Sequence, residues 1–278
     1  MIWKSHRSTL DLSRRAKVMG ILNVTPDSFS DGGRHCGVEA ALAHARRMIA
    51  EGAEIIDVGG ESTRPGSLPV AADEEIRRTI PVIHALRSEW DGWISIDTSK
   101  AAVAAEALAA GADVVNDVSG LRADPGMAAL CARTGCGLVV MHMQGEPRTM
   151  QAAPRYEDVV AEIRAFFEER FATLTAAGIG AESLCFDPGI GFGKTLDHNL
   201  ALLKALRDLG VRERPLLLGV SRKSLIGRLL ENDDPNLRDM PTVAVTAMAR
   251  DQGVMLHRVH AVRPNLEALR MVEAIKGP

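Results

Sequence analysis

Eight short apolar runs organise this chain, and each breaks at its C-terminal edge into a polar or ionisable residue. VMGILNV ends at Asn23, EIIDVGG runs into Glu61-Ser62-Thr63-Arg64, WISID ends at Asp97, and DVVND holds Asn116 and Asp117. GLVVMHM carries His142, LCFDPG carries Asp187, PLLLGVSRKS carries Lys223, and VMLHRVH carries Arg258 and His260. Continuous apolar runs rather than strict alternation are what parallel strands buried on both faces require. Between them lie helical patterns, such as Ile76, Ile80, Ile83 and Leu86, or Val159, Ile163, Phe166, Phe167 and Leu174. Every gap is long enough for the crossover that parallel neighbours need. An open doubly wound sheet would gather its chemistry at one switch-point crevice. Polar residues at nearly every strand end predict instead a closed α/β architecture, a single-domain (β/α)8 TIM barrel with its site on one rim.

A chain of 278 residues suits one such barrel. Residues 1–17 are expected to form an N-terminal segment and 18–278 the barrel domain, since no composition shift marks a second unit. The net charge of −3 gives no electrostatic footprint for nucleic acid or an anionic membrane. No apolar stretch approaches membrane-spanning length, and the basic N-terminus lacks an apolar signal core. Cys36, Cys131, Cys136 and Cys185 have neither zinc spacing nor the density of a disulfide scaffold, so they are expected as thiols of a reducing cytoplasm. GIGFGKT, Gly189 to Thr195, looks like a phosphate loop, yet Pro188 stands where a Walker A motif needs its first glycine.

Asp97, Asn116, Asp187 and Lys223 come from four strand ends that a barrel would collect around one cavity. Singly, each has an ordinary reading: a helix cap for Asp97, a loop amide for Asn116, a solvated lysine for Lys223. Together they make two acceptors, one amide and one cation. That set suits a flat heterocycle with an amino-lactam edge, whose N–H groups the carboxylates accept and whose carbonyl or ring nitrogen the lysine meets. A second group suits anions. Ser62-Thr63-Arg64 follows the second strand, while Arg258 and His260, two apart on the last, share one side of it. Asn23 can offer an amide oxygen to a hard cation such as Mg²⁺, otherwise held by water and phosphate oxygens. Ser224 stands where a helix begins, a place that can receive a carboxylate or simply hold a cap.

GILNVTPDSFSDGG, IIDVGGESTRPG, ISIDTSK, VVNDVSG, MHMQGEPRTMQ, FDPGIGFGK and GVSRKSLIG, in that order, closely resemble the dihydropteroate synthase family over residues 18–275. The resemblance implies a Mg²⁺-dependent transferase, a cytoplasmic homodimer with small-molecule substrates. Such an enzyme condenses 6-hydroxymethyl-7,8-dihydropterin diphosphate with 4-aminobenzoate to give 7,8-dihydropteroate and diphosphate in folate biosynthesis. By position it implies a pterin pocket of Asp97, Asn116, Asp187 and Lys223, and Asn23 as the Mg²⁺ ligand. Thr63, Arg258 and His260 fall on the diphosphate side with Asn23, and Thr63, Arg64, Phe192 and Ser224 on the aminobenzoate side. Asp97, Lys223, Arg258 and His260 would then touch the reacting groups. TPDSFSDGG and STRPGS resemble the family's mobile loops. The chain departs from the family where RVHD is replaced by Arg258-Val259-His260-Ala261. That departure motivates the alternative of a non-catalytic paralogue that binds pterin or diphosphate. A methyltetrahydrofolate methyltransferase is a further alternative, although it would leave SRKS and the anion residues without a task.

Overall fold

The computed structural model describes residues 1–24, 33–62, 67–146 and 149–277, with the side chains of 33–36 set apart as undescribed. A hairpin of β1 (Ile2–Lys4) and β2 (Thr9–Asp11) leads into β3 (Lys17–Asn23), α1 (Gly33–Ala50), β4 (Ile55–Gly59), α2 (Ala72–Glu89) and β5 (Trp93–Asp97). Then come α3 (Ala101–Ala109), β6 (Val114–Asp117), α4 (Gly126–Thr134), β7 (Gly137–Met141), α5 (Val159–Ala176) and β8 (Leu184–Asp187). The chain finishes with α6 (Leu196–Lys204), β9 (Leu217–Leu218), α7 (Ser224–Leu230), α8 (Asp239–Asp251), β10 (Leu256–Val259) and α9 (Val262–Lys276). Eight parallel strands pair in the order β8-β7-β6-β5-β4-β3-β10-β9. A parallel bridge from Phe186 to Leu216, with the Phe186 N–H donating to Pro215 O at 3.0 Å, joins the two ends of that order. The expected barrel is therefore present, each strand starting within about two residues of its apolar run.

Strand parity divides the molecule into two apolar compartments. Val18, Leu22, Ile56, Val58, Ile94, Ile96, Val115, Leu138, Val140 and Phe186 face outward into the shell between sheet and helices. Met19, Ile55, Trp93, Val114, Val139, Cys185, Leu217 and Leu256 fill the interior. Side chains alternate along a strand, so two and four residues further on each strand meets the upper rim. The N-terminal hairpin closes the opposite end. Trp3 is wholly buried, its ring 5.0 Å from that of Trp93 and its Nε1–H donating to Ser183 O at 2.7 Å. Just above, Asp113 accepts from Arg87 at 2.5 Å and pairs with Arg7 at 3.3 Å. These contacts tie the hairpin to the barrel floor, a role its basic composition does not announce.

The helix over Ile76, Ile80, Ile83 and Leu86 forms as α2, but its innermost stripe is offset by one position. Glu75, Thr79, Val82, Ile83 and Leu86 are buried, while Ile76 and Ile80 are half-buried against the shell. The polar pair is accommodated because Thr79 Oγ1 donates to Glu75 O at 2.8 Å and Glu75 accepts from Lys100 at 2.6 Å. Polar groups with such partners can occupy a core position that apolar spacing would assign elsewhere, and Glu75 Oε1 is left without a hydrogen-bond partner among the described residues.

Candidate active site

Register brings the rim residues level. Asn23 pairs with Gly59, Gly59 with Asp97, and Asp97 with Asn116, so four neighbouring strands end at one height. All four lie on the interior parity. Asp57, two residues below Gly59, lies on it as well and is completely buried. Asp57 belongs to none of the sequence motifs' polar strand ends, and its parity with Ile55 and Gly59 is the signal in the sequence that points to it. Asp117, by contrast, turns outward and accepts from the N–H groups of Ser119 and Leu121, a turn-forming role.

Arg258 joins the carboxylates. Its Nε–H donates to Asp57 Oδ2 at 2.6 Å and its second terminal nitrogen to Asp97 Oδ2 at 2.7 Å, while Asn116 Nδ2 donates to Asp57 Oδ2 at 3.1 Å. Two buried carboxylates thus share one guanidinium. Burial pushes the Asp97 carboxyl up to about 7, against the attraction of Arg258 and with Asp57 adding repulsion. Burial also works against the Arg258 cation, but Asp57 and Asp97 outweigh it and hold the guanidinium charged beyond its usual range. Each carboxylate keeps one buried oxygen, Asp57 Oδ1 and Asp97 Oδ1, with no hydrogen-bond partner among the described residues. Orphaned buried acceptors are costly, so this pair is set up to receive N–H groups from outside the protein.

The other half of the pocket comes from β8 and the segment after β9. Asp187 is buried and its Oδ1 accepts the Gly189 N–H at 2.7 Å. Burial raises its pKa, with Lys223 the main opposing charge. Only glycine fits at 189: φ is +66° and a Cβ there would lie 1.9 Å from His142 O. Lys223 donates to Ile190 O and stands 4.6 Å above the centre of the Phe192 ring. Burial lowers its pKa to about 8, partly offset by Asp187. An ammonium over an aromatic face is a favourable cation–π arrangement, and here it fixes both side chains.

The glycine-rich segment is a lid on a buried lysine rather than a phosphate cradle. Lys194 is enclosed, donating to Phe192 O at 3.0 Å and His142 O at 3.3 Å, with Nζ 3.1 Å from His142 Nδ1. Burial pulls Lys194 down to about 7, and burial with the Lys194 charge pulls His142 to about 3.

His260 stands against Ser221, while Ser224 opens α7 and is exposed. Asn23 is half-buried at the end of β3. A Cβ on Gly59 would lie 3.7 Å from Asn23 Oδ1 and 3.9 Å from Asp97 Oδ2, so the missing side chain leaves space between these oxygens. No group of three His, Cys, Asp or Glu among the described residues could itself cage a metal. Thr63 and Arg64 lie outside the described residues, as do residues 25–32 of the first loop motif. The structure thus brings together Asp97, Asn116 and Arg258, joined by Asp57, and groups Asp187, Lys223 and Phe192.

A barrel with this rim, paired buried carboxylates beside an amide and a lysine, defines an enzyme built to hold a flat, N–H-rich heterocycle. The family model "Pterin binding enzyme" matches residues 19–260. A dihydropteroate synthase of Escherichia coli K12 is 50% identical over 267 residues, covering 96% of this chain and 94% of that relative. Among solved structures, the Yersinia pestis dihydropteroate synthase with a sulfonamide drug complex superposes with a TM-score of 0.93 at 48% identity, covering 99% of both chains. The Xanthomonas albilineans dihydropteroate synthase in complex with 7,8-dihydropteroate gives a TM-score of 0.90 at 41% identity, covering 100% of both. The chain belongs to the dihydropteroate synthase family, transferases of folate biosynthesis. Such likeness along the whole length favours the synthase over a non-catalytic binding paralogue. No helix among the described residues is long and apolar enough to cross a membrane.

Proposed function

We propose that the chain condenses 6-hydroxymethyl-7,8-dihydropterin diphosphate with 4-aminobenzoate, releasing 7,8-dihydropteroate and diphosphate. One observation carries this reading: among the described residues the two buried carboxylates each leave an oxygen unpartnered, and a pterin's amino-lactam edge supplies N–H groups for acceptors of that kind. Asn116 and Asp187 complete the heterocycle's polar frame, and Lys223 meets its carbonyl or ring nitrogen. The Xanthomonas relative's complex with 7,8-dihydropteroate supports a pocket of this class.

No activated protein nucleophile is needed. The aromatic amine attacks the exocyclic methylene, a C–N bond forms as the C–O bond to diphosphate breaks, and the amine proton is given up. Arg258 and His260 would stabilise charge on the departing diphosphate, with Thr63 beside them. Asp57, Asp97 and Asp187 would tolerate cationic character at the methylene. Arg64, Phe192 and Ser224 would position the aminobenzoate, its carboxylate near the start of α7. The donor chemistry at Asn23 fits Mg²⁺: one amide oxygen beside the space left by Gly59, with diphosphate and water oxygens to complete the shell. When bound, the cation would neutralise the diphosphate.

A homodimer fits the apolar side chains that α8 and α9 leave exposed, Met240, Met248, Met271 and Ile275. Buried free thiols at Cys131, Cys136 and Cys185 fit a cytoplasmic setting. The test is turnover: purified protein with dihydropterin diphosphate, 4-aminobenzoate and Mg²⁺, dihydropteroate detected by mass, and EDTA as control. Absence of product with pterin still bound would overturn the synthase reading. Product unaffected by EDTA would overturn the Mg²⁺ assignment.

A further inference from the structure

The turn between β9 and α7 places a hydroxyl directly against the rim histidine. Ser221 is buried, and its Oγ accepts the backbone N–H of His260 at 3.2 Å while lying 2.9 Å from His260 Nδ1. A hydroxyl has one proton to give and two lone pairs to receive. The backbone amide occupies a lone pair, and the acceptor within reach of the hydroxyl proton among the described residues is Nδ1. A hydroxyl proton given to Nδ1 leaves the neutral ring with its proton on Nε2.

The turn is held so that this contact persists. Arg222, next in the chain, adopts the left-handed region at φ +58°, a conformation non-glycine residues keep only where the surroundings enforce it. Asp239 at the start of α8 enforces it, accepting both Arg222 Nε–H and a terminal N–H at 2.7 Å. Arg238 donates to Arg222 O at 3.2 Å, and the Arg222 N–H donates to Thr242 Oγ1 at 3.3 Å. The same turn delivers Ser221 to the ring and Lys223 to the pocket. Ala261, the residue after the histidine, brings no side-chain acceptor of its own; its carbonyl is held instead by Asn265 Nδ2 at 2.7 Å.

We propose that Ser221 is a positioning residue that fixes His260 in the Nε2–H tautomer, so that the ring offers an N–H donor to the departing phosphate oxygens. The inference rests on the reading of His260 as a diphosphate contact. In the opposite tautomer Nε2 would offer a lone pair to an anion, and the contact would become repulsive. Neighbours that fix a histidine's tautomer through its second nitrogen are a general device for directing the first.

The full-length protein, labelled with ¹⁵N-histidine, tests this by two-bond proton–nitrogen correlation, with His260→Gln assigning the signal. Wild type is expected to show an unprotonated Nδ1 and a protonated Nε2. Ser221→Ala should move the ring toward a mixture of tautomers and lower kcat about tenfold, the scale of one lost hydrogen bond in a reacting complex, with the KM for aminobenzoate unchanged. Ser221→Thr, which keeps the hydroxyl, should restore both readouts. A protonated Nδ1 in wild type, or an unchanged tautomer in Ser221→Ala, would overturn the proposal. If Ser221→Ala does not fold, Ser221→Cys, a weak donor of similar size, takes its place and is expected to show a partial shift; an unchanged tautomer there counts against the proposal equally. The nitrogen spectrum of wild type needs no turnover, so a protein that makes no dihydropteroate yet shows Nε2–H would defeat the proposed reaction while upholding the tautomer.

Discussion

Asp97→Asn should convert a pH-dependent liability of the free protein into a flat response. In the native state the Asp97 carboxyl is raised from 3.8 to about 7, first by burial and then by the neighbouring carboxylates, against Arg258. A raised carboxyl binds its proton more tightly when folded than when unfolded. Its contribution is therefore most favourable below about pH 4 and is lost as pH climbs toward 7. Each unit is worth about 1.4 kcal/mol. Integrated from pH 5 to 8, wild type should lose roughly 2–3 kcal/mol that the asparagine variant keeps, equivalent to roughly 4–12 °C in Tm. The assay is thermal or urea unfolding of both proteins at pH 5, 6, 7 and 8 without ligand, read as the variant-minus-wild-type difference. Subtracting the curves removes groups the substitution leaves alone. Loss of the 2.7 Å bond from Arg258 offsets the whole difference without changing its slope below pH 7, where Asp97 is largely protonated. Pterin binding should weaken in the same variant, because the acceptor set has lost one of its carboxylates. A difference curve that is flat, or that falls with pH, would refute the argument that burial raises the Asp97 carboxyl.

Two further substitutions probe the frame around the site. Lys194→Met removes a lysine whose pKa burial has lowered from 10.5 to about 7, and a depressed lysine costs stability as pH falls through that interval; relative to wild type the variant should gain roughly 3–4 kcal/mol between pH 10 and 7 in urea titrations, and a parallel pair of curves would contradict the assignment. Trp3→Ala opens the barrel floor, deleting the contact with Trp93 and the bond to Ser183 O; calorimetry should show a loss of about 3–5 kcal/mol, and a loss below 1 kcal/mol would mean the hairpin is dispensable to the barrel.

Parallel strands are legible because a buried run bounded by turns has few other uses, and the eight runs led directly to β3 through β10. The rim was legible for a related reason. A polar residue ending such a run needs a partner or a ligand, which made Asn23, Asp97, Asn116, Asp187 and Lys223 visible. The hairpin was not, because the burial of Trp3 depends on Trp93 and Ser183, far away in sequence. Nor was the enclosure of Lys194, since a glycine-rich segment does not disclose which way its lysine turns.

Asp57 marks the limit of pattern reading most sharply. It sits mid-strand in IIDVG, where an isolated aspartate resembles an interruption in an apolar run. Only strand parity puts it on the side of Ile55 and Gly59, and only closure of the barrel brings Arg258 from a strand two hundred residues away to within 2.6 Å. Its effect is nevertheless central. With Asp97 alone, one guanidinium would neutralise one carboxylate and the rim would be electrostatically satisfied without substrate. With Asp57 as well, one guanidinium must serve two buried carboxyl groups, and above about pH 7, where Asp97 gives up its proton, the pair carries one negative charge more than Arg258 balances. Burying charge without a full complement of partners disfavours the empty site, and a ligand that supplies several N–H donors relieves it. The arrangement therefore favours a heterocycle with a guanidine-like edge over one that merely fits the cavity by shape, and that preference originates in a residue whose meaning appears only once the barrel has closed.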